Sequence, residues 1–323
     1  VEPCDAAKGH VCVDGTCHTE CGDAVGTTAG CEFFAVSTGH TAAVAARASF
    51  GVSARNVASG AVTLVVTGGA LAEGAEVRAS LAAGASTTGP VVLHQVSPVP
   101  TGAALTTGEG TLLWPTHALG RSYHAVTLPA FRGATGTERP AFLTVVATAN
   151  DTAVTVRTPV DVLPLIATDT RGGTVTLQRG EVLQLATATT TTTARSYGAD
   201  LSGAVVEASH GVLVLGANDC VAVPLSARCN HVEEVQLPDE RLAESFVLAP
   251  FAGSGARARI VAPTGAVLTF DPAVPSAPSS LAAGAIAEIS LAAATRLTAS
   301  APVAAYLVVE GTADRGPALS LVP

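Results

Sequence analysis

The chain of 323 residues has no methionine, one tryptophan and a single lysine, Lys8, and its aromatic residues come to 4%. Charged side chains are 13% of the total, where about a quarter is usual. A surface so short of charge must be built largely from Thr, Ser, Ala and Gly. Part of it is expected to be covered, by a partner or by other copies of the chain. The net charge of −9 argues against nucleic acid and anionic membranes as partners, because both require basic stripes. No uninterrupted apolar run reaches the roughly 18 residues of a transmembrane helix. With Val1 at its head, the chain is expected to be a mature extracellular or cell-surface form whose signal peptide has been removed.

The motifs of catalysis are missing as well. "FAGSGAR" brings Gly253, Ser254 and Gly255 together without the G-x-S-x-G spacing of a nucleophile elbow. His117 and His124 lack the H-x-x-x-H spacing of a helical zinc site, and no D-x-[DN]-x-[DN]-G loop surrounds Asp14 or Asp23. Phosphate-cradling glycine motifs do not occur. The expectation is therefore a non-enzymatic chain with no catalytic residue, no metal and no cofactor. Paired hydrolytic carboxylates would have to come from Glu233, Glu234, Asp239 and Glu240, which read instead as a solvated acidic loop.

What is present begins with seven cysteines. Cys4, Cys12, Cys17, Cys21 and Cys31 crowd the head of the chain, so residues 1–31 read as a small disulfide-rich module or arm, its pairing open. Cys17 and Cys21, with His10 and His18 nearby, would make half a zinc site, but the other half is missing. An odd count leaves one thiol free or bonded to another chain. Cys220 and Cys229, in "DCVAVPLSARCNHVEEVQLP", suit a disulfide closing a short loop, with His231, Glu233 and Glu234 as its polar dressing.

Beyond Glu32, short apolar runs rich in β-branched residues alternate with Gly, Pro, Asn, Asp and Thr, the signature of antiparallel strands. In "AVTVR", Val154 and Val156 face inward and Thr155 and Arg157 outward. The Ala-rich "SSLAAGAIAEISLAAATRL" has the composition of a helix, and repetition decides against it. "LQRGEVLQL" from Leu177 and "LAAGAIAEI" from Leu281 share L-x-x-G-x-[VI]-x-x-[LI], so if one is a strand the other is too. "EASHGVLVLG" and "TASAPVAAYL" share A-S-x-x-V further on. "SYHAV" at Ser122 and "SFVLAP" at Ser245 open matching copies, and Val154 is set against Val267.

The chain thus reads as all-β: three tandem immunoglobulin-like antiparallel sandwich units, 32–121, 122–242 and 243–323, behind the stapled module. A β-propeller-like division of the same strands is the alternative. The middle unit carries a Thr-rich insertion, Ala186 to Asp200, read as a polar loop or a modified one. Asn150-Asp151-Thr152 reads first as a hairpin turn and second as a glycosylation sequon, with Asn150 the candidate acceptor.

Through "FLTVVATANDTAVTV", "LQRGEVLQLATA", "DLSGAVVEASHGVLVLGANDC", "VPLSARCNHVEEVQLP" and "ESFVLAPF", the chain resembles the N-terminal domain of the IgG Fc-binding protein family. The resemblance runs from about Cys31 to Tyr306, and its best marker is Cys229, Asn230, His231, Glu233, Glu234 and Gln236 to Pro238. It departs from the family at "ASHGVLV", where a basic residue is absent. The stapled module is similar to the heads of secreted bacterial relatives. The resemblance implies secretion, an all-β fold and a binding or adhesive role without catalysis, and does not imply that this chain binds immunoglobulin.

The leading expectation is a secreted structural or adhesive protein, a subunit of an extracellular assembly such as a filament or matrix, partnered by copies of itself. The alternative is a ligand-binding module recognising a surface glycoprotein or mucin, and the third reading is an all-β hydrolase.

Overall fold

The structure, a computed structural model, describes residues 10–13, 16–19, 30–38, 48–56, 61–68, 71, 75–81, 91–100, 108–134, 136–166, 169–251 and 253–322. Among them, two single-turn 3-10 helices, Thr116–Ala118 and Asp239–Arg241, accompany strands alone, so the chain is all-β. It divides into two compact units: Val1–Ala35, Val52–Gln95 and Leu112–Leu119 form one, and Val36–Gly51, Val96–Thr111 and Gly120–Pro323 the other.

The leading strands are β1 (His10–Val13), β2 (Thr16–Thr19), β3 (Ala48–Asn56), β4 (Val62–Thr67), β5 (Glu76–Leu81), β6 (Val91–Pro100) and β7 (Glu109–Leu113). β1 and β2 pair as a hairpin with Cys12 opposite Cys17, and β4 and β5 pair with Val66 opposite Val77. A three-stranded sheet has the order β3-β6-β7.

From Gly120 onward the strands are β8 (Gly120–His124), β9 (Phe131–Arg132), β10 (Gly136–Thr137), β11 (Ala141–Ala147), β12 (Thr152–Arg157), β13 (Val162–Leu163), β14 (Gly172–Leu177), β15 (Val182–Thr187), β16 (Thr191–Thr192), β17 (Ser196–Tyr197), β18 (Val205–Val221) and β19 (Asn230–Val235). There follow β20 (Ala243–Leu248), β21 (Ala256–Ala262), β22 (Ala266–Asp271), β23 (Ser280–Leu281), β24 (Ala285–Leu291), β25 (Thr295–Val309) and β26 (Ala318–Leu321). β11, apolar but for Thr144, is buried at every residue, as a central strand requires. In β12, Val154 and Val156 are buried while Arg157 is exposed, the pattern of a strand with one wet face.

One antiparallel pairing scheme occurs twice. β18 pairs with β11, β12, β8 and β19, while β15 lies beside β11 and β14 beside β12. β25 pairs in the same way with β21, β22, β20 and β26, with β24 beside β21 and β23 beside β22. The long strand is the pivot: its first part pairs with one set of strands and its second part with another, so each copy curls toward a barrel. The change of partners falls within the shared A-S-x-x-V. Ala208 still pairs with Val154, Val212 already pairs with Ala147, and Ala299 and Val303 stand in the corresponding places. At that bend the ladder is interrupted, and a serine hydroxyl supplies an acceptor. Ser209 Oγ accepts the Ala153 N–H at 3.0 Å, and Ser300 Oγ accepts the Val267 N–H at 2.9 Å.

These bonds correct the alignment of the copies by one residue. Val154 corresponds to Leu268, not Val267, since both face the alanine of A-S. The turn after β11 spans residues 148–151, whereas the turn after β21 spans only 263–265, so the register slips by one and the side chains change face. Leu268 is accordingly 4% exposed and Val267 57%.

The shared L-x-x-G motif makes one turn twice. Gly180 and Gly284 have φ of 81° and 72°, and their N–H groups bond to Ala147 O and Ala262 O at 2.8 Å in each case. A Cβ on either would meet nothing within 4 Å, which leaves the left-handed backbone as the only penalty. Gly180→Ala and Gly284→Ala are therefore expected to destabilise equally, by about 1 kcal/mol each, in urea unfolding of the two variants.

Three apolar clusters hold this second unit. Leu143, Leu185, Val206 and Val214 belong to the first, and Leu248, Ile260, Ile289 and Leu297 to the second. The third joins the copies, bringing Val126, Leu128, Val223 and Val232 against Val261, Tyr306 and Val308.

Candidate functional site

The stapled corner between β18 and β19 is built on a bulge between Asn218 and Val221. Asn218 is fully buried; its Nδ2 donates to Leu128 O and Pro129 O at 3.3 and 2.9 Å, and its Oδ1 accepts the Cys220 N–H at 3.1 Å. Cys220 and Cys229 are bonded, with S–S 2.03 Å. Closing so short a loop contributes on the order of 2–3 kcal/mol.

Rather than presenting a surface, the corner is a joint. Val221, Ala222, Val223 and Ala227 are buried in the third core. Tyr197 Oη and Arg195 from the Thr-rich insertion donate to Ala222 O and Ala227 O at 3.0 and 2.8 Å. On the other side, Gly311 N–H donates to Val223 O and Arg228 N–H to Thr312 O, both at 2.7 Å.

The residues after the staple overturn the expectation of polar dressing on a solvated loop. His231, Glu233 and Glu234 lie in β19 and are 1%, 0% and 8% exposed. β18 covers one edge of β19, and Thr38, Glu109 and Thr111 bond to it from far upstream in the chain. Glu233 accepts the Thr38 hydroxyl, and His231 Nε2 stands 3.4 Å from the same carboxyl and 3.3 Å from Thr38 Oγ1. The Phe142 ring lies 6.1 Å from the imidazole. Glu109, at the head of β7, accepts the Glu233 N–H at 3.1 Å and the Leu319 N–H at 2.8 Å. Burial pushes Glu234 up to about 8 and Glu109 well above the usual carboxylate range, with Glu234 adding to the effect on Glu109. Carboxyls enclosed between strands cannot grip a glycosidic or peptide bond from an open cleft. Sequence reasoning missed Glu109 and Thr38 because they lie far from β19 in the chain.

Asp239 and Glu240 separate from that pair and cap β8. Asp239 accepts from Ser122 Oγ at 2.6 Å, His124 N–H at 3.1 Å and His124 Nδ1 at 2.9 Å, and Glu240 accepts the Arg121 N–H at 3.3 Å. Serine and histidine both bind the carboxylate here. A nucleophile needs its hydroxyl on the imidazole, so the trio orients a strand end and does not activate Ser122.

A second charged group joins the copies. Arg259 in β21 is 7% exposed and donates to Thr127 O, to Ser202 Oγ at 2.9 Å and to Asp200 Oδ2 at 2.6 Å, with Glu288 at 3.1 Å. Burial alone would raise Asp200; the Arg259 guanidinium outweighs it and holds the carboxyl below its usual value.

Asn150 lies at the turn after β11, where its Oδ1 accepts the Arg179 N–H at 3.1 Å. The Thr-rich insertion is pinned rather than extended: Thr191–Thr192 pairs with Gly136–Thr137, and Thr190 donates to the buried Glu138. Cys4 and Cys21 lie outside the described residues, as does the pairing of the five leading cysteines; Cys31 is disulfide-bonded. Among the described residues no group of three or more His, Cys, Asp or Glu is placed to hold a metal ion, and no helix is long and apolar enough to cross a membrane.

Among the described residues, a few large apolar side chains stand exposed. Val247 at the end of β20 and Phe251 in the loop after it are 66% and 56% exposed, and Ser254 N–H closes the loop onto Phe251 O at 3.2 Å. Phe251 went unnoticed in the sequence, though an aromatic amid "APFAGSG" is a signal in a chain with so few. Compared with known families, residues 109–323 match the model described as IgGFc binding protein. No curated protein and no solved structure matches the chain.

Proposed function

The chain belongs to the IgGFc binding protein family, and from that premise we propose that it is an extracellular, non-catalytic module that binds a glycoprotein partner. The exposed Phe251 carries the reading at residue level. A large exposed aromatic on the loop that follows β20, a strand whose Val247 also faces outward, is the kind of anchor that dominates binding energy. The buried or strand-capping roles of His124, His231, Glu233, Glu234 and Asp239 support a role without catalysis.

Surface-immobilised immunoglobulin G Fc and a panel of mucin-type glycoproteins provide the test. The wild-type chain is expected to bind at least one of them, and Phe251→Ala to weaken that binding roughly ten-fold at unchanged melting temperature. No binding across the panel sinks the reading, and an unweakened variant removes Phe251 from it.

A second reading, a subunit of an extracellular assembly, is supported by the β4 and β5 hairpin. Val65, Val66 and Val77 are all exposed on it, and strands with apolar side chains to the outside invite pairing with another copy. Sedimentation velocity over a hundred-fold range of concentration would expose such association; a constant monomer at every concentration rejects it.

A further inference from the structure

The opening strands of the two copies, β8 and β20, hold one register on their long partners. Gly120, Ser122, Tyr123 and His124 stand opposite Val212, Glu207, Val206 and Val205 of β18. Ala243, Ser245, Phe246 and Val247 stand opposite Val303, Thr298, Leu297 and Arg296 of β25. Their outer edges differ. Along β8 the edge is closed by the acidic turn Asp239–Arg241: Asp239 accepts the His124 N–H and the Ser122 hydroxyl, and Glu240 accepts the Arg121 N–H. That turn directly precedes β20, so the start of one copy caps the first strand of the copy before it.

β20 has no such cap among the described residues. Because the register is shared, the Val247 N–H points away from β25 as the His124 N–H points away from β18, and Val247 itself is 66% exposed. Ser245 repeats Ser122. The basic group has changed strands: His124 Nδ1 meets Asp239 in the first copy, whereas the second has Val247 there and carries Arg296 beside it on β25, where β18 has Val205. Arg296 is exposed, its Nε reaches Ser245 Oγ at 3.4 Å, and it forms no ion pair among the described residues. An open N–H edge with a serine hydroxyl and an unpaired guanidinium is built to receive a carboxylate. Glu244 stands in the place of Arg121, so the aspartate of an incoming turn is its anchor and the glutamate after it is not.

We propose that the outer edge of β20 docks the Pro-Asp turn that opens a further unit of this same fold on a partner, the aspartate bridging the Val247 N–H, the Ser245 hydroxyl and the Arg296 guanidinium. Within this chain the turn is already engaged by β8, so the partner is a further unit and not the chain closing on itself. This edge is separate from the β4 and β5 hairpin, and the docking holds whether or not that hairpin associates.

Amide chemical shifts of the intact, isotope-labelled chain, titrated with a synthetic peptide of residues Gln236–Leu242, test the docking at affinities as weak as millimolar. The Ser245 and Val247 amides are expected to shift and saturate while the His124 amide stays still. Arg296→Gln in the chain should weaken binding roughly three- to five-fold, and Asp239→Asn in the peptide about ten-fold or more, whereas Glu240→Gln in the peptide should leave it unweakened. Val247→Pro, which an edge strand tolerates where the N–H faces outward, should abolish it. An absence of saturable shifts at millimolar peptide overturns the docking, and so do shifts confined to β8. An Arg296→Gln chain that binds as tightly as wild type overturns it too, whatever becomes of Val247→Pro. Concentration-dependent shifts of the β20 amides without peptide would put a second copy of this chain on the edge and overturn the acidic turn as its occupant.

Discussion

Replacing Arg259 with alanine is expected to cost about 3–5 kcal/mol, the range found when one partner of a buried ion pair is deleted. The side chain is enclosed in β21 and reaches across to Thr127, Ser202 and Asp200 of the preceding copy, with Glu288 of its own copy alongside. Its removal would leave the half-buried Asp200 without its opposite charge, and Thr127 O with Ser202 Oγ as its remaining donor. The pH dependence gives an internal control. Because Arg259 holds Asp200 below its ordinary value, the pair contributes stability that is present above the unfolded carboxylate value and is lost as pH falls through the lower folded one. Denaturant unfolding should therefore separate wild type from Arg259→Ala widely near neutrality and less in strong acid. Arg259→Met combined with Asp200→Asn should recover part of the loss, because no unpaired charge is left behind. Were the copies independent beads on a string, Arg259 would be a surface residue, and its loss would cost within about 0.5 kcal/mol.

That contrast marks where sequence reading stops. Period-two alternation in β12, the continuous run of β11 and the two L-x-x-G turns are local properties, and each was legible because a strand or turn is chosen within a few residues. The A-S-x-x-V repeat was visible as letters, but its meaning as the bend where a strand changes partners depends on strands elsewhere in the chain. Setting Val154 against Val267 failed by one residue. Similarity along the sequence followed the letters A-V, while the ladder counts the length of the turn before them.

The candidate site shows the same limit more sharply. His231, Glu233 and Glu234 are polar letters after a stapled loop, and composition places such letters in water. Their burial is decided by Thr38, Glu109 and Thr111 packing from far upstream, and no local pattern records that. Family membership adds the class of function, and the exposed Val247 and Phe251 add a place to look for it.

The last residues of the two L-x-x-G-x-[VI]-x-x-[LI] copies should carry far more stability than Val182, three residues before the first of them. Leu185 and Ile289 are each 1% exposed, Leu185 in the first apolar cluster and Ile289 in the second, whereas Val182 is largely exposed. Leu185→Ala and Ile289→Ala are each expected to cost about 2–5 kcal/mol, from lost burial plus the cavity left in a packed core. Val182→Ala should stay within about 0.5 kcal/mol. Leu185 pairs with Leu143 and Ile289 with Ala258, and the two sites belong to different apolar clusters. The double variant should then lose the sum of the single losses to within about 0.5 kcal/mol. Calorimetry checks both statements at once. A single shifted transition would mean that the third cluster, with Tyr306 and Val232 between the copies, binds them into one cooperative body. Two separated transitions, one moved by each substitution, would mean that the copies melt independently despite Arg259.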